Sequence, residues 1–225
     1  MFVLTSVSRI YGAGAARSVA IHEVSLRLER GEFVAIAGPS GSGKTTLLNL
    51  VGGIDVPTSG RIAIDGRELS GLAPSELADF RLAKLGFVFQ QFSLIPVLSA
   101  AENVALPLLF RKDLAPSARQ RAVDAALDRV GLGGKAGRRP AELSGGEQQR
   151  VAVARAVAGD PEIVLADEPT ANLDHETGGA VVELLLELNR ERGTTFLYAT
   201  HDPELVGLAG RVITLRDGRI TGDVA

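Results

Sequence analysis

The sequence predicts an α/β protein whose sheet core is interrupted by an all-helical insertion. Three observations carry that expectation. Strand-like segments, alternating or wholly apolar, fill the chain up to about residue 90. Strand signals then vanish over about residues 91–155, where alanine- and leucine-rich stretches take helical spacing, and strands return after residue 160. With 225 residues, the expected organisation is a single domain over residues 1–225 with the helical part nested inside it at about 91–155.

Residues 2–7 and 22–28 alternate apolar with polar side chains, the period-2 mark of a half-buried strand. Between them Tyr11-Gly12-Ala13-Gly14 reads as a loop. Gly31-Glu32 turns into Phe33-Val34-Ala35-Ile36-Ala37, which is apolar on both faces and belongs in the middle of a parallel sheet covered by helices. A glycine-rich segment follows, and residues 44–51 continue as a helix that ends at Gly52-Gly53. Residues 61–64, closed by Asp65-Gly66, and residues 86–89 read as further strands. Residues 101–110, 117–130 and 145–158 supply the helices of the insertion. Strands resume at 162–166, 194–199 and 211–215, with a helix over 176–192 stopped by Gly193 and a hairpin turn at Asp217-Gly218.

Composition narrows the function. The 24 basic and 27 acidic residues leave a net charge of −3, which argues against a polyanion-binding surface and so against nucleic acid as the partner. The absence of cysteine excludes disulfides and thiolate metal sites and fits a reducing compartment. The longest apolar run, Phe33 to Ala37, falls far short of the roughly 20 residues that span a bilayer. Met1-Phe2-Val3-Leu4-Thr5 carries neither a basic leader nor a cleavable apolar core. The expectation is a cytoplasmic protein without direct membrane insertion, reaching a membrane only through a partner.

Gly38-Pro39-Ser40-Gly41-Ser42-Gly43-Lys44-Thr45, with Thr46 next, fits the phosphate-loop pattern G-x-x-x-x-G-K-[ST] (Walker A) and sits between a buried strand and a helix. The glycines let backbone N–H groups turn inward onto phosphate oxygens, reinforced by the helix N-terminus behind them. Lys44 reaches the β- and γ-phosphates and the Thr45 hydroxyl ligates Mg²⁺. A nucleoside triphosphate, ATP, with Mg²⁺ is the expected ligand. Ile163-Val164-Leu165-Ala166-Asp167-Glu168 is an apolar strand ending in two acids. Its end delivers carboxylates to the sheet edge where such folds bind ligands. Asp167 is placed to hold Mg²⁺ through water, and Glu168 to polarise the water that attacks the γ-phosphate.

Leu143-Ser144-Gly145-Gly146-Glu147-Gln148-Gln149-Arg150 resembles the signature of the ATP-binding-cassette (ABC) ATPases. Ser144, Gly145, Gly146 and Glu147 open a helix and make a second phosphate-binding N-terminus. The same Ser144 and Glu147 also form a capping box. One chain needs one such site for its own ATP, so the resemblance implies that the second faces the γ-phosphate held by another copy. It further implies that Tyr11 stacks on adenine, that Gln90 touches Mg²⁺ and the attacking water, that Asp174 in Ala171-Asn172-Leu173-Asp174 carries signals across a dimer, and that His201 contacts the γ-phosphate. Gln90 and its neighbour Gln91 compete for one role, and Gln90 is preferred because it directly follows the strand over 86–89. His22 and His175 match no motif and are expected to be solvated.

Residues 85–96 and 101–109, together with Leu165-Ala166-Asp167-Glu168-Pro169-Thr170-Ala171-Asn172-Leu173-Asp174, look like the branch that contains the lipoprotein-release and macrolide-exporter ATPases. That resemblance implies a homodimer of ATPase subunits beneath integral membrane permease subunits, peripheral on the inner face of the membrane. The alternative, a soluble ABC ATPase in DNA repair or translation, is at odds with the single cassette and the missing basic stripe. Phe92, Leu94, Ile95, Pro96, Val97 and Leu98 form an apolar, proline-broken loop that is either tucked under the insertion or exposed to the permease.

Overall fold

The computed structural model describes the backbone of residues 1–225 and every side chain except those of Ala15 and Glu204. Strands β1 (Phe2–Tyr11) and β2 (Ser18–Leu28) pair antiparallel, and β3 (Phe33–Ala37) leads into α1 (Lys44–Val51). Strands β4 (Ser59–Ile64) and β5 (Arg67–Glu68) follow, then α2 (Pro74–Lys84) and β6 (Leu85–Val88). The insertion holds α3 (Ala100–Ala105), a 3₁₀ turn over Pro107–Phe110, α4 (Pro116–Arg129) and α5 (Gly145–Val157). The chain closes with β7 (Ile163–Asp167), α6 (His175–Arg192), β8 (Thr195–Thr200), α7 (Pro203–Val206), β9 (Arg211–Arg216) and β10 (Arg219–Val224).

A smaller antiparallel sheet runs β2-β1-β4-β5, and a larger one runs β10-β9-β3-β8-β7-β6. In the larger sheet β6, β7, β8, β3 and β9 are parallel, and β10 pairs antiparallel at the edge. Two apolar cores lie on its two faces. Phe33, Ala35, Val164, Phe196 and Tyr198 point into a core shared with α3, α4, α5 and α6. Val34, Ile36, Leu165, Leu197 and Ala199 point into a core shared with α1 and the smaller sheet. Burial on both faces is why β3, β7 and β8 read as unbroken apolar runs. Among the described residues no helix is long and apolar enough to cross a membrane.

The structure departs from the expected elements in a few places. Tyr11 ends β1 rather than lying in a loop. Helix α2 went unforeseen because its buried stripe is only Leu77 and Phe80. Phe89 lies outside β6, so one residue separates Gln90 from the strand end. His22 is half-exposed, yet its Nδ1 is buried with no hydrogen bond, 3.9 Å from Glu23 Oε2, and its Nε2 lies 3.0 Å from an Arg219 nitrogen, so it is less solvated than expected.

Candidate functional site

The parallel ladder decides which loops meet. Ala37 of β3 pairs with Thr200 of β8, and Ala199 of β8 pairs with Asp167 of β7. Gly38, Glu168 and His201, the residues after those three strands, therefore leave the sheet at one level along its carboxyl edge.

The loop over residues 38–43 curls over the start of α1. Gly43 is the N-cap of that helix at φ 104°, and no side chain caps the first turn, so its leading N–H groups have no protein acceptor of the usual kind. A Cβ on Gly38 would collide with the Leu215 carbonyl and approach the Ser42 hydroxyl, whereas one on Gly41 would meet nothing. Pro39, Ser40 and Gly41 are exposed along the rim, Thr45 is exposed and Thr46 half-buried. Lys44 is only 7% exposed. Its Nζ donates to the carbonyls of Gly38 (2.8 Å) and Pro39 (3.2 Å) and lies 3.5 Å from Glu168 Oε1. The Ser42 hydroxyl is buried without a partner. A buried cation, an orphaned hydroxyl and an uncapped helix start come together within residues 42–44, and that set fits a phosphate group.

Asp167 sits beside Thr45 and Lys44. Burial pushes its carboxyl above the usual range, a hydrogen bond from Thr45 opposes this, the Glu168 charge adds to it and Lys44 subtracts. Its Oδ1 has no partner. An orphaned carboxylate oxygen near an exposed hydroxyl suits a hard divalent cation such as Mg²⁺. Among the described residues no cluster of His, Cys, Asp and Glu could hold a metal alone, so phosphate oxygens and water would complete its shell.

Glu168 is held from three sides. Its N–H donates to the Ala199 carbonyl (3.0 Å), its Oε2 lies 2.9 Å from His201 Nδ1, and its Oε1 faces Lys44. Its backbone is left-handed at φ 46°, a strained setting for a non-glycine residue that the ladder on either side enforces. The carboxylate is mostly buried and the imidazole mostly exposed.

Gln90 and Gln91 are both exposed. The preference for Gln90 as the residue that directly follows the strand fails, since Phe89 intervenes, but only Gln90 is tied to the site: its carbonyl accepts from Asn172 Nδ2 at 2.7 Å. Phe92 and Ser93 just beyond are left-handed at φ 54° and 51°. Tyr11 stands at the end of β1, where its ring is capped by the Arg9 guanidinium at 4.6 Å and its hydroxyl donates to Asp55 Oδ2 at 2.6 Å. Its strand partner is Ser18, two positions before Ala20, whose carbonyl packs against Gly43.

The second glycine-rich helix start stands apart from this cluster. Ser144 is exposed and caps α5: its hydroxyl accepts from the Glu147 N–H (3.3 Å), and its own N–H donates to Glu147 Oε2 (3.0 Å). Glu147 also pairs with Lys135, which with the Ser144 N–H lowers its pKa. Gly145 is half-buried against Leu173, and a Cβ on Gly146 would strike Thr177. Asp174 caps α6 by accepting from the Thr177 N–H at 3.0 Å, which holds its carboxyl below the usual range.

Three further side chains join these parts through bonds that the sequence does not announce. Asn172 clips the Gln90 loop, Gln149 donates from deep burial to the Pro169 carbonyl at 2.5 Å, and Arg155 donates to Phe92 O (2.8 Å) and Ser93 O (2.5 Å). Their acceptors are backbone carbonyls, which no residue pattern announces. The loop over 92–98 is partly tucked in and partly open. Leu94 packs on the helical core and Val97 is 72% exposed. Buried Asn103 fixes the loop through bonds with Ile95, Leu98 and Ser99. A larger apolar groove of about 470 Å³ lies next to it, with Arg81, Phe87, Phe89, Leu106, Phe110 and Arg155 on its walls.

A family model described as ABC transporter matches residues 21–171. The ABC transporter ATP-binding protein MJ1508 of Methanocaldococcus jannaschii is 46% identical over 220 residues, covering 98% of this chain and 97% of that protein. The lipoprotein-releasing system ATP-binding protein LolD 1 of Rhodopseudomonas palustris is 44% identical over 220 residues, covering 97% of each. Of solved structures, the ATP-binding cassette MJ0796, dimeric in a post-hydrolysis state with ADP and Pi, superposes with a TM-score of 0.91 at 44% identity, over 99% of this chain and 97% of that one. The cbiO1 protein of Clostridium perfringens, part of the transporter complex cbiONQ, gives 0.89 at 30% identity, over 99% and 87%.

Proposed function

The chain belongs to the ABC transporter family and is an ATP-binding, ATP-hydrolysing cassette, and on that premise we propose that two copies of it power integral membrane permease subunits. The cargo class we favour is lipoprotein release, with export of peptide, antibiotic or lipid-like cargo as the neighbouring option on the same branch. The 44% identity to LolD 1 supports it. The working place is the cytoplasmic face of the membrane, and the nested helical subdomain at about 91–155 carries motion from the nucleotide to the permease.

One observation carries the reading. Lys44, Glu168 and His201 form a single polar chain at the carboxyl edge of β3, β7 and β8. Lys44 exchanges its Gly38 and Pro39 carbonyls for the β- and γ-phosphates of ATP. Asp167, Thr45 and Gln90 would hold Mg²⁺, which would supply neutralisation of phosphate charge. Glu168 takes the proton of the attacking water, and His201, already 2.9 Å from Glu168, donates to the γ-phosphate. Tyr11 offers the base the ring face that Arg9 leaves free. Ser144, Gly145, Gly146 and Glu147 of the second copy close over the γ-phosphate, and Asp174 bears on the same seam. The dimeric form of MJ0796 supports the sandwich.

Glu168→Gln tests it. Hydrolysis is expected to fall by at least about 10²-fold, the scale of a lost general base, while ATP binding survives. The variant then accumulates as a dimer on size exclusion with ATP and not with ADP. A variant that stays monomeric at saturating ATP contradicts the sandwich.

The groove walled by Phe87, Phe89 and Phe110 is the surface proposed for the permease, in place of the 92–98 loop alone, because Phe110 is 68% exposed beside it. Exchanging Phe110 and Val97 together for Asp should leave folding and ATPase activity intact and abolish co-purification with the permease. Wild-type recovery of the complex would put the interface elsewhere.

A further inference from the structure

Arg155 is an unusual wall for an apolar groove. It lies in the last turn of α5, it borders the cavity beside Phe87, Phe89 and Phe110, and burial lowers its pKa with no carboxylate opposing the shift. A methionine or leucine there would fill the same space without desolvating a charge. The guanidinium's planar fork is used instead on two successive carbonyls, Nη2 to Phe92 at 2.8 Å and Nη1 to Ser93 at 2.5 Å. Those two residues are consecutive left-handed non-glycine positions, a conformation that needs an external tether to persist. The other end of the same loop is tethered at Gln90 by Asn172, which follows Glu168 on the β7 side.

We propose that Arg155 is a positioning residue that sets Gln90 from the wall of the groove, by holding the two carbonyls just beyond it. The inference rests on the reading of Gln90 and of the groove given above. A side chain entering the groove meets Arg155 beside Phe89, the residue that precedes Gln90 in the chain. A small rotation of the fork loosens or tightens both carbonyls at once. Because α5 also begins at Ser144, the helix that holds one copy's Gln90 loop is the helix that faces the other copy's ATP.

The test is a double-mutant cycle in the full-length protein, with Arg155→Met and Gln90→Ala alone and combined. Nucleotide affinity is measured in EDTA, and kcat together with the Mg²⁺ concentration giving half-maximal ATPase in titrations. Arg155→Met should keep its melting temperature near wild type and its EDTA affinity within about twofold. Its kcat should fall about tenfold and its half-saturating Mg²⁺ should rise several-fold, the scale expected when a catalytic group is misplaced rather than removed. In the Gln90→Ala background the same change should cost less than about twofold, because the two act as one unit. Arg155→Lys, which keeps the cation but cannot span both carbonyls, should fall between wild type and Arg155→Met. A folded Arg155→Met with wild-type kcat and Mg²⁺ dependence overturns the proposal, and so do additive losses in the cycle. If Arg155→Met does not fold, Arg155→Lys decides: a several-fold loss that vanishes in Gln90→Ala sustains the proposal, and a wild-type kcat overturns it. Failure of the wild-type protein to bind ATP would instead sink the functional reading beneath it.

Discussion

Helices α1 and α5 both begin on a glycine-rich turn, and they prepare their first turns in opposite ways. At α1 no side chain caps the helix, the lysine is buried, and Ser42 has a hydroxyl with nothing to bind. At α5 the serine is exposed, and its hydroxyl is already engaged by the Glu147 N–H in a complete capping box. The first site is unfinished without an anion. The second is a satisfied helix start that receives an anion only as an addition. An uncapped N-terminus with a buried cation is the stronger anion site, and a capped and exposed one the weaker. On the proposed function, the difference assigns nucleotide affinity to the first site and assembly to the second.

The comparison breaks most readily at Lys44. Lys44→Ala removes the one buried cation of the α1 site, and hydrogen bonds to charged groups contribute about 1.5–3 kcal/mol each. A rise in Kd for a fluorescent ATP analogue of at least about 100-fold is expected. Unchanged affinity would show that the α1 site does not hold phosphate as described. Ser144→Ala sharpens the other half. Loss of the cap costs about 1 kcal/mol, a fall of about 2–4 °C in melting temperature for a chain of this size. Single-subunit ATP affinity should stay within about twofold, and ATP-driven dimerisation and hydrolysis should fall at least about tenfold when one hydrogen bond to the γ-phosphate is lost. A parallel loss of monomer affinity would erase the distinction between the two helix starts.

The smallest effect is expected at Asp167, and its sign is opposite. Burial raises the folded pKa of this carboxyl. An acid shifted that way supports the fold below its unfolded pKa and withdraws support as pH rises through the folded value, so at neutral pH its charge works against stability. Asp167→Asn should therefore raise the melting temperature of the nucleotide-free protein by about 2–4 °C for each kcal/mol relieved, while weakening Mg²⁺-dependent ATP binding. A lowered melting temperature would mean that Thr45 and Lys44 more than compensate the burial.

How much could be read in advance depended on whether the cause was local. The run from Phe33 to Ala37 was legible because each face of β3 meets a separate core, and the phosphate loop because its backbone geometry demands its glycines. The meeting of Glu168 with His201 was legible one step removed, since parallel pairing of β7 and β8 brings successive strand ends level. Helix α2 was missed. Pro74 at its first turn and the Glu76 carboxylate accepting from the Ala73 N–H are genuine start signals, but two buried side chains are too thin a stripe to stand out. Tyr11 was misplaced because the glycines after it looked like the end of regular structure. Asn172, Gln149 and Arg155 bind carbonyls 82, 20 and 62–63 positions away. Pairings of that kind have no periodicity to betray them.

The position of β3 in its sheet has a consequence for how the protein is made. Phe33–Ala37 is flanked by β8 and β9, and its first partner, Phe196, is synthesised about 160 residues later, so these ladder contacts are among the longest in the chain. Throughout translation of the helical insertion, the strand that will carry the phosphate loop has neither neighbour available. A short β-prone segment with no charge and two open edges is a site for misassembly while it waits. The helices of the insertion have close-range partners and can order early. The slotting of β3 between β8 and β9 must therefore wait until both have been made. Newly made chains stalled before residue 195 should accordingly engage holdase chaperones at this strand and bind no ATP.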